Sequence, residues 1–418
     1  MKLSGFSYFR ACLCSCLLVV GAHAAEPVRI AFIDPLSGPF ANAGASSLRH
    51  TRAAFAQSGW GSLPGAAAVE IVPFDNRASA QESVTQLQLA IDRGIRYVIQ
   101  GQSSAAALAL IDAIDKHNTR NPGREVMLLN YAALDPALTN ERCSYWHFRF
   151  DADVNMRMEA LTAVLARDSS IKSVYLVNQD YSFGRAVGSA ARAALARRRP
   201  DVKIAGEDLH PIGTVKDFAP YIAKIKASGA NVVITGNWGN DLALLVRAAR
   251  EASLNADFYT FYAGSLGTVT AIGAAGTGKL KQVGEWHANQ DPPGHPLQSL
   301  AAAYKKGNGE DLYFMRLWVL ARMFAQARVK AGGNEPVRVA AALEGLRVTT
   351  PLGEAEMRAA DHQLIEPLAV STLWPVAARG GPTEVRADVE GTGLGFKTDM
   401  KVEGYVTALP TSCRMQRP

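Results

Sequence analysis

The chain has 418 residues, of which 48% are hydrophobic and 20% charged, and its formal net charge is +6. This composition is typical of a folded globular protein with two or three domains, and it excludes disordered, collagen-like and coiled-coil chains. The charge excess is too small and dispersed to indicate nucleic-acid binding, and a single long apolar run excludes a polytopic membrane protein.

The start of the chain has the pattern of a secretory signal peptide. Lys2 and Arg10 precede an apolar stretch over 11–21, and the small residues that follow predict cleavage after Ala24 or Ala25. The apolar stretch is shorter than the roughly 20 residues that span a bilayer. We therefore expect export to the periplasm, and a lipoprotein signal around the cysteines of this segment is the alternative.

The rest of the chain alternates short Val/Ile-rich runs with helical stretches. Predicted strands cover 28–33, 69–74, 97–100, 126–130, 145–150, 173–178, 202–205, 232–235 and 258–261. Predicted helices cover 43–57, 79–92, 154–166, 183–199, 218–227, 241–252, 297–305, 312–330 and 336–346, and strand-like runs at 368–372 and 404–408 follow. Such alternation indicates parallel sheets covered on both faces. Two series of this kind predict an α/β protein with two doubly wound Rossmann-like lobes.

Two cysteines, Cys143 and Cys413, remain after the expected cleavage. In an oxidising compartment this pair predicts one disulfide, which would tie the C-terminal tail to the middle of the chain. Two separate buried thiols are the alternative. Neither cysteine has a neighbour at metal-ligand spacing, so we predict no zinc site, and nothing else in the sequence indicates a cofactor.

The loops that follow the predicted strands are the expected place for a site. Ligands of open α/β sheets bind at the carboxyl ends of the strands, so two facing lobes would hold a ligand in the cleft between them. The loops concerned are 37–44, 101–104, 131–134, 180–184, 237–240 and 263–267.

Two motifs that are typical of enzymes are incomplete. A phosphate-binding pattern ends at Lys279, but Leu280 stands where Ser or Thr would hold Mg²⁺. The segment 263–267 resembles a nucleophile elbow around Ser265, although Ala263 replaces its first glycine. We therefore predict that the protein is not an enzyme, and an exported esterase that uses Ser265 and a downstream histidine is an alternative.

Several short segments, in order along the chain, carry a family resemblance. They are Ile30-Ala31-Phe32-Ile33, Ser37-Gly38-Pro39-Phe40-Ala41 with Gly44, and then 101–104, 133–139, 180–184 and 357–363. Together they resemble the periplasmic binding proteins of the branched-chain amino-acid type. The resemblance implies a type I binding fold, in which two lobes joined by three crossovers close on a small ligand. It also implies a monomer that delivers its solute to an ABC permease in the inner membrane.

The resemblance also implies where the lobes begin and end. The crossovers are expected near 145–149, 285–287 and 350–352. The expected division is a signal peptide over 1–25, a first lobe over 26–147 plus 287–351, a second lobe over 148–286 plus 352–385, and a tail over 386–418.

The carboxylate site that the resemblance implies lies in the first lobe. In relatives a serine pair after the third strand binds the ligand carboxylate, and Ser103 and Ser104 match it here at the start of a helix. Free N–H groups and the helix dipole favour an anion at such a place. A plain helix N-cap is the alternative for either serine. Gln102, Tyr131 and Ala133 complete the expected contacts of this lobe.

Aromatic residues of the second lobe are expected to cover the ligand. Tyr181 matches an aromatic of the relatives, Trp238 falls near another wall position, and Ser265 lies in a further cleft loop. Core positions without ligand contact are the alternative for Tyr181 and Trp238.

The sequence departs from the leucine-type pattern at the ammonium group. The relatives' acidic residue after a late strand of the second lobe has no counterpart in 262–266, Leu134 replaces a threonine, and Ala43 replaces an aromatic. A buried unpaired ammonium is costly, so the sequence favours a carboxylate with an apolar or aromatic body over a zwitterion.

We therefore expect the solute-binding component of an ABC importer, for an amino acid or for an aromatic or aliphatic acid. A ligand-sensing receptor subunit and a structural cell-envelope protein are further alternatives to the esterase.

Overall fold

The computed structural model of the protein describes residues 1, 27–57, 68–377 and 385–418. Apart from Met1, the expected signal peptide lies outside the described residues. Within the described ranges, none of the helices has the length and apolar character needed to cross a bilayer.

Strands and helices alternate along most of the chain, as predicted. The strands are β1 (Val28–Asp34), β2 (Val69–Asp75), β3 (Tyr97–Gln100), β4 (Met127–Asn130), β5 (His147–Arg149), β6 (Ser173–Gln179), β7 (Lys203–His210), β8 (Val232–Thr235), β9 (Asp257–Thr260), β10 (Leu280–Gly284), β11 (Arg347–Thr350), β12 (Gly353–Arg358), β13 (Gln363–Ile365), β14 (Leu368–Pro375) and β15 (Leu394–Val402). The helices are α1 (Ala41–Gln57), α2 (Ala80–Asp92), α3 (Ser104–Arg120), α4 (Val154–Leu165), α5 (Ser182–Arg198), α6 (Ala219–Ser228), α7 (Gly239–Glu251), α8 (Thr268–Ile272), α9 (Pro296–Asn308), α10 (Arg316–Ala331), α11 (Pro336–Leu343) and α12 (Gly404–Thr407).

The strands form two sheets, one in each lobe. The first sheet has the order β11-β12-β13-β5-β4-β3-β1-β2, and the second has the order β15-β14-β10-β9-β8-β6-β7. The strands β1 to β5 pair in parallel, as do β6 to β10, whereas β14 joins β10 and β15 joins β14 antiparallel. The predicted pair of doubly wound α/β lobes is confirmed, with antiparallel strands added to each sheet.

The central strands are buried because helices cover both faces of each sheet. In β1, Ile30 and Phe32 pack into the cluster that contains α10, whereas Ala31 and Ile33 pack on the opposite face with α2 and α3. Strand β6 alternates in the same way between two clusters of the second lobe. Apolar residues at every position of a strand therefore correspond to burial on both faces.

The structure differs from the expected division near the end of the chain. The third passage between the sheets lies at 366–367, after β13, whereas 350–352 is the turn of the β11–β12 hairpin. The predicted strand at 404–408 is wrong, because this segment forms helix α12. The strand of the tail is β15, which extends the second sheet because it pairs along β14.

The predicted disulfide is present in the structure. Cys143 and Cys413 are bonded, with their Cα atoms 5.7 Å apart. The bond joins the C-terminal tail to the segment before β5 in the first lobe.

Buried charges stand at the passages between the lobes. Asp151 follows β5 and Glu285 follows β10, and both are buried. Arg157 Nη2 of α4 lies 2.5 Å from Asp151 Oδ1, and Arg316 Nε of α10 lies 2.8 Å from Glu285 Oε1. Arg316 also contacts Asp151, so one arginine of each lobe binds the connecting strands. We call these four side chains the hinge network.

Candidate ligand-binding cleft

A cavity of about 490 Å³ lies between the lobes, at the carboxyl ends of the strands. It is lined by the loops after β1, β3 and β4 of the first lobe, by those after β6 to β9 of the second, and by Tyr313 and Phe314 before α10. This is the place at which open α/β sheets bind ligands. Its volume lies within the range of small-molecule sites.

The first turn of α3 presents hydrogen-bond donors to this cavity. Ser103 Oγ accepts from the Ala106 N–H at 3.3 Å, and Ser104 Oγ accepts from the Asp135 N–H at 3.2 Å. Each hydroxyl therefore uses a lone pair on the protein, and its own O–H remains available to a ligand. The first N–H groups of a helix also lack partners within the helix. The arrangement suits an anion such as a carboxylate.

Asp34, at the end of β1, lies beneath the cavity surface and binds the backbone of the loop before α3. Its Oδ1 accepts from the Gln102 N–H at 3.0 Å and the Gly101 N–H at 3.3 Å, and its Oδ2 accepts from the Tyr131 hydroxyl at 2.6 Å. Burial raises the pKa of Asp34 from 3.8 to about 7, although these hydrogen bonds favour the anion. Asp34 was not among the predicted site residues, because its only signal in the sequence is an acidic residue that closes an apolar strand.

The side chain of Gln102 has a fixed orientation. Its Nε2 donates to Ser47 Oγ at 2.8 Å and to Tyr131 Oη at 3.2 Å. These oxygens must accept, because the Ser47 hydroxyl donates to the Ala43 carbonyl and the Tyr131 hydroxyl donates to Asp34. Gln102 Oε1 is therefore a neutral acceptor beside the serines.

Aromatic side chains form the opposite wall and join the lobes across the cleft. The Trp238 indole N–H donates to Tyr181 Oη at 3.0 Å, and its ring centroid lies 4.7 Å from that of Phe40 in the first lobe. The Tyr262 hydroxyl donates to the Ala132 carbonyl of the first lobe at 3.0 Å. These contacts describe a closed cleft with an aromatic wall.

A buried carboxylate of the second lobe also lines the cavity. Asp241, in the first turn of α7, accepts at Oδ2 from Gln179 Nε2 at 2.7 Å and from the Gly213 N–H at 2.8 Å. Its Oδ1 and the Oε1 of Gln179 are buried and have no hydrogen-bond partner. This pair was not predicted from the sequence, because an aspartate at the start of a helix is also common as a simple dipole partner.

Most of the predicted contact residues line the cavity. These are Gln102, Ser103, Ser104, Tyr181, Trp238 and Ser265. Tyr131 and Ala133 do not line it, because both are buried beneath the loops, and Tyr131 acts there through Asp34 and Gln102. Ser265 Oγ donates to the Tyr262 carbonyl at 2.8 Å and lies 2.9 Å from Thr268 Oγ1. In the described part of the chain no histidine is hydrogen-bonded to Ser265.

Comparison with known protein families and sequences gives a consistent result. A family model described as "Periplasmic binding protein" matches residues 27–375. The chain is 30% identical over 420 residues to "Leu/Ile/Val-binding protein homolog 4" of Brucella abortus (strain 2308), and the match covers 97% of each chain. It is 23% identical over 333 residues to the leucine-, isoleucine-, valine-, threonine- and alanine-binding protein of Pseudomonas aeruginosa, covering 79% of this chain and 85% of the relative.

Solved structures show the same architecture. The leucine-, isoleucine-, valine-, threonine- and alanine-binding protein of Brucella ovis, in a closed conformation, matches with a TM-score of 0.83 at 31% identity, covering 94% of this chain and 100% of that one. A Rhodopseudomonas palustris solute-binding protein in complex with benzoate has a TM-score of 0.77 at 15% identity, covering 93% and 100%. Another, from strain BisB5 and in complex with 3,4-dihydroxy benzoic acid, has a TM-score of 0.75 at 17% identity, covering 90% and 98%. The last two similarities concern the fold alone.

Proposed function

This chain belongs to the periplasmic binding protein family, and from that premise we propose that it is the solute-binding component of an ABC importer. Its ligand is a small carboxylate-bearing molecule, an amino acid or an aromatic or aliphatic acid, held between the lobes. The closed, loaded form is the state that the inner-membrane permease recognises.

The first turn of α3 carries this proposal. The O–H groups of Ser103 and Ser104 and the free N–H groups of that turn are aligned with the positive end of a helix. The relative from Brucella abortus is named for leucine, isoleucine and valine, and the Rhodopseudomonas palustris structures hold benzoate and a hydroxylated benzoic acid. A carboxylate is the group that these ligands share.

The contacts across the cleft explain how a ligand would keep the lobes together. Phe40 against Trp238 and Tyr262 against Ala132 join the two lobes only when they are close. A ligand that touches both lobes binds the closed form better than the open form, and it shifts the population toward closure by that difference in affinity.

The proposal is tested on mature protein that has been unfolded and refolded to remove any bound ligand. Leucine, δ-aminovalerate, benzoate and valerate are titrated by calorimetry, and a bound ligand must also raise the melting temperature. Changing Ser103 and Ser104 together to Ala should weaken the best ligand at least about tenfold, because hydrogen bonds to a charged group are lost. The matched control changes Ser169 and Ser170, an adjacent exposed pair before β6, to Ala.

Two results would overturn the proposal. One is that carboxylates of every tested class leave the melting temperature unchanged. The other is that the Ser103 and Ser104 double variant binds as tightly as the control.

A further inference from the structure

We infer that Asp241 and Gln179 form a second polar pole of the cleft, which binds an ammonium group remote from the ligand carboxylate. The ligand is then an ω-amino carboxylic acid, with its carboxylate at Ser103 and Ser104 and its amine at Asp241. This inference rests on the proposed carboxylate site and adds the opposite end of the ligand.

Asp241 is a buried charge with unused bonding capacity. It is 2% exposed, and its two hydrogen bonds both end on Oδ2, so Oδ1 has no partner. A buried acceptor without a donor is costly and uncommon, most of all on a charged group. Lys216 lines the same cavity, but it is exposed and forms no ion pair with Asp241 in the described structure. The missing donor can therefore come from a ligand.

Gln179 determines what kind of group can occupy the pole. Its Nε2 is committed to Asp241, and its Oε1 is buried without a partner. The pole therefore presents two acceptors, one of them charged, and neither side chain has a free donor to offer there. A carboxylate or carbonyl would be repelled. An ammonium carries three donors and a positive charge, so it can satisfy both oxygens together.

The position of Asp241 separates this pole from the α-carbon of a leucine-type ligand. Glu285 of the hinge network follows β10, and from β10 the second sheet continues through β9, β8 and β6 to the edge strand β7. The stretch 262–266, where the leucine-type relatives are expected to have their acid, follows β9. Asp241 follows β8 and binds the Gly213 N–H in the loop after the edge strand β7. The charge is thus displaced away from the hinge.

Gly213 also shows that the pole lies near the aromatic contact between the lobes. A side-chain carbon at Gly213 would stand 3.5 Å from Phe40 Cζ. The end of the cleft beside the serines has no matching need for a positive charge. Gln102 Oε1 is neutral, and it is not a buried acceptor that lacks a donor, so it does not require an α-ammonium. The cavity of about 490 Å³ leaves room for the body of a ligand between the two poles.

Position isomers provide the direct test. Refolded mature protein is titrated by calorimetry with δ-aminovalerate, its α-amino isomer norvaline, and valerate, which lacks the amine. We expect δ-aminovalerate to bind at least about tenfold more tightly than either, because a charge-assisted hydrogen bond forms at the pole. For a ligand with an aromatic body, para-(aminomethyl)benzoate should likewise bind at least about tenfold more tightly than para-toluate, which lacks the amine.

The variant Asp241→Asn isolates the free oxygen. Its amide can keep one oxygen for the Gly213 N–H and Gln179 Nε2, while NH₂ replaces the unpaired Oδ1. We expect δ-aminovalerate to bind at least about tenfold more weakly, with valerate unchanged or tighter. Asp217→Asn is the control, since Asp217 is exposed in the loop before α6 and its change removes the same charge.

The outcomes separate this inference from the function on which it rests. If norvaline or valerate binds as tightly as δ-aminovalerate, or if Asp241→Asn keeps the preference for the amine, the pole is overturned and the carboxylate site stands. If none of the five probes binds, the carboxylate site fails and the pole fails with it.

Discussion

The hinge network and the cleft both contain buried carboxyl groups, but those of the hinge network are bound by arginines and those of the cleft are not. In the hinge network each carboxylate is bound by arginines from both lobes, and Arg157 Nη1 also donates to the Val283 carbonyl at 2.6 Å. In the cleft, Asp34 is bound by neutral donors, and Asp241 keeps one oxygen without a donor. Both regions are buried, so burial alone does not distinguish them.

The difference teaches which buried charges serve the fold and which remain available to a ligand. A network that satisfies all of its members specifies one arrangement of the connecting strands, and it has nothing left to offer a ligand. A buried acceptor without a donor has a cost that only a further partner removes. The hinge network therefore needs no further partner, whereas the proposed ligand would supply the donor that Asp241 lacks.

The largest effect is expected from breaking the hinge network at Arg316. Arg316→Met leaves Asp151 and Glu285 with an uncompensated buried charge, which should lower the free energy of unfolding by about 3–5 kcal/mol. Urea unfolding of the mature protein measures this change. The control is Arg347→Met, because Arg347 forms an exposed ion pair with Glu356 that is worth about 1 kcal/mol or less. Equal losses of unfolding free energy in the two variants would show that the buried hinge network contributes no more than an exposed ion pair.

The second effect concerns pH, and it separates Asp34 from the carboxylates of the hinge network. The folded-state pKa of Asp34, about 7, lies above its ordinary value of 3.8. The unfolded chain therefore releases this proton first, and Asp34 lowers stability as the pH rises from about 4 to about 7, by about 1.4 kcal/mol per pH unit. At Glu285, burial opposes ionisation, but Arg316 and Arg157 outweigh it and lower the pKa, so the sign is reversed.

Urea unfolding of the wild type and of Asp34→Asn across this pH range measures that slope. The stability of the wild type relative to the variant should fall toward pH 7 and then level off, by up to about 4 kcal/mol in total. A difference that does not change with pH would show that Asp34 is ionised throughout, like the carboxylates of an ion pair.

The sequence was sufficient for the architecture of the lobes and for half of the cleft. Apolar runs such as those of β1 and β6 indicate strands buried on both faces, and the alternation with helices determines the winding of each lobe. The ends of such strands locate the ligand loops, and the family resemblance singles out Ser103, Ser104 and Trp238 within them. The strands and loops depend on local pattern, which a sequence displays directly.

The remaining features depend on contacts that are distant in the chain. Asp241 appears in the sequence as an ordinary acidic residue in the first turn of a helix. Only its packing against Gln179 and Gly213 shows that one oxygen is bound twice and the other is left over. The hairpin of β11 and β12 was not predicted for a related reason, because its alternation of buried and exposed residues includes charged side chains that are also typical of loops.

A smaller effect is expected from the hydrogen bond that joins the lobes across the cleft. Tyr262→Phe removes the hydrogen bond to the Ala132 carbonyl, and this should destabilise the closed form by about 1 kcal/mol. Because the ligand binds the closed form, its affinity should fall about fivefold. Calorimetry with the tightest carboxylate measures this. Tyr259→Phe is the matched control, since no described hydrogen bond involves the Tyr259 hydroxyl. A change that leaves affinity intact would show that this contact does not contribute to closure.

The smallest loss of stability is expected from a substitution at Glu366. This substitution tests whether the partners of a buried carboxyl group or its position in the fold determine its contribution to stability. Glu366 lies at the third passage between the lobes, and both of its carboxylate oxygens are buried without partners. Burial, together with the charges of Glu285 and Asp151, raises its pKa well above the ordinary value. The folded protein then holds it as a neutral acid, and its share of stability is present below about pH 4 and lost as the pH rises.

Glu366→Gln should therefore cost no stability at neutral pH, whereas Glu285→Gln, which removes the charge that faces Arg316, should cost about 3–5 kcal/mol. Urea unfolding of both variants at pH 7 compares two neutral substitutes at neighbouring passages. Both glutamates are buried at passages between the lobes, but only Glu285 is bound by arginines. A larger loss of stability for Glu285→Gln than for Glu366→Gln would therefore show that the ion pairs with the arginines determine the contribution of the carboxylate. Equal losses would instead mean that Glu366 is ionised and paired, and that position decides the role of a buried charge.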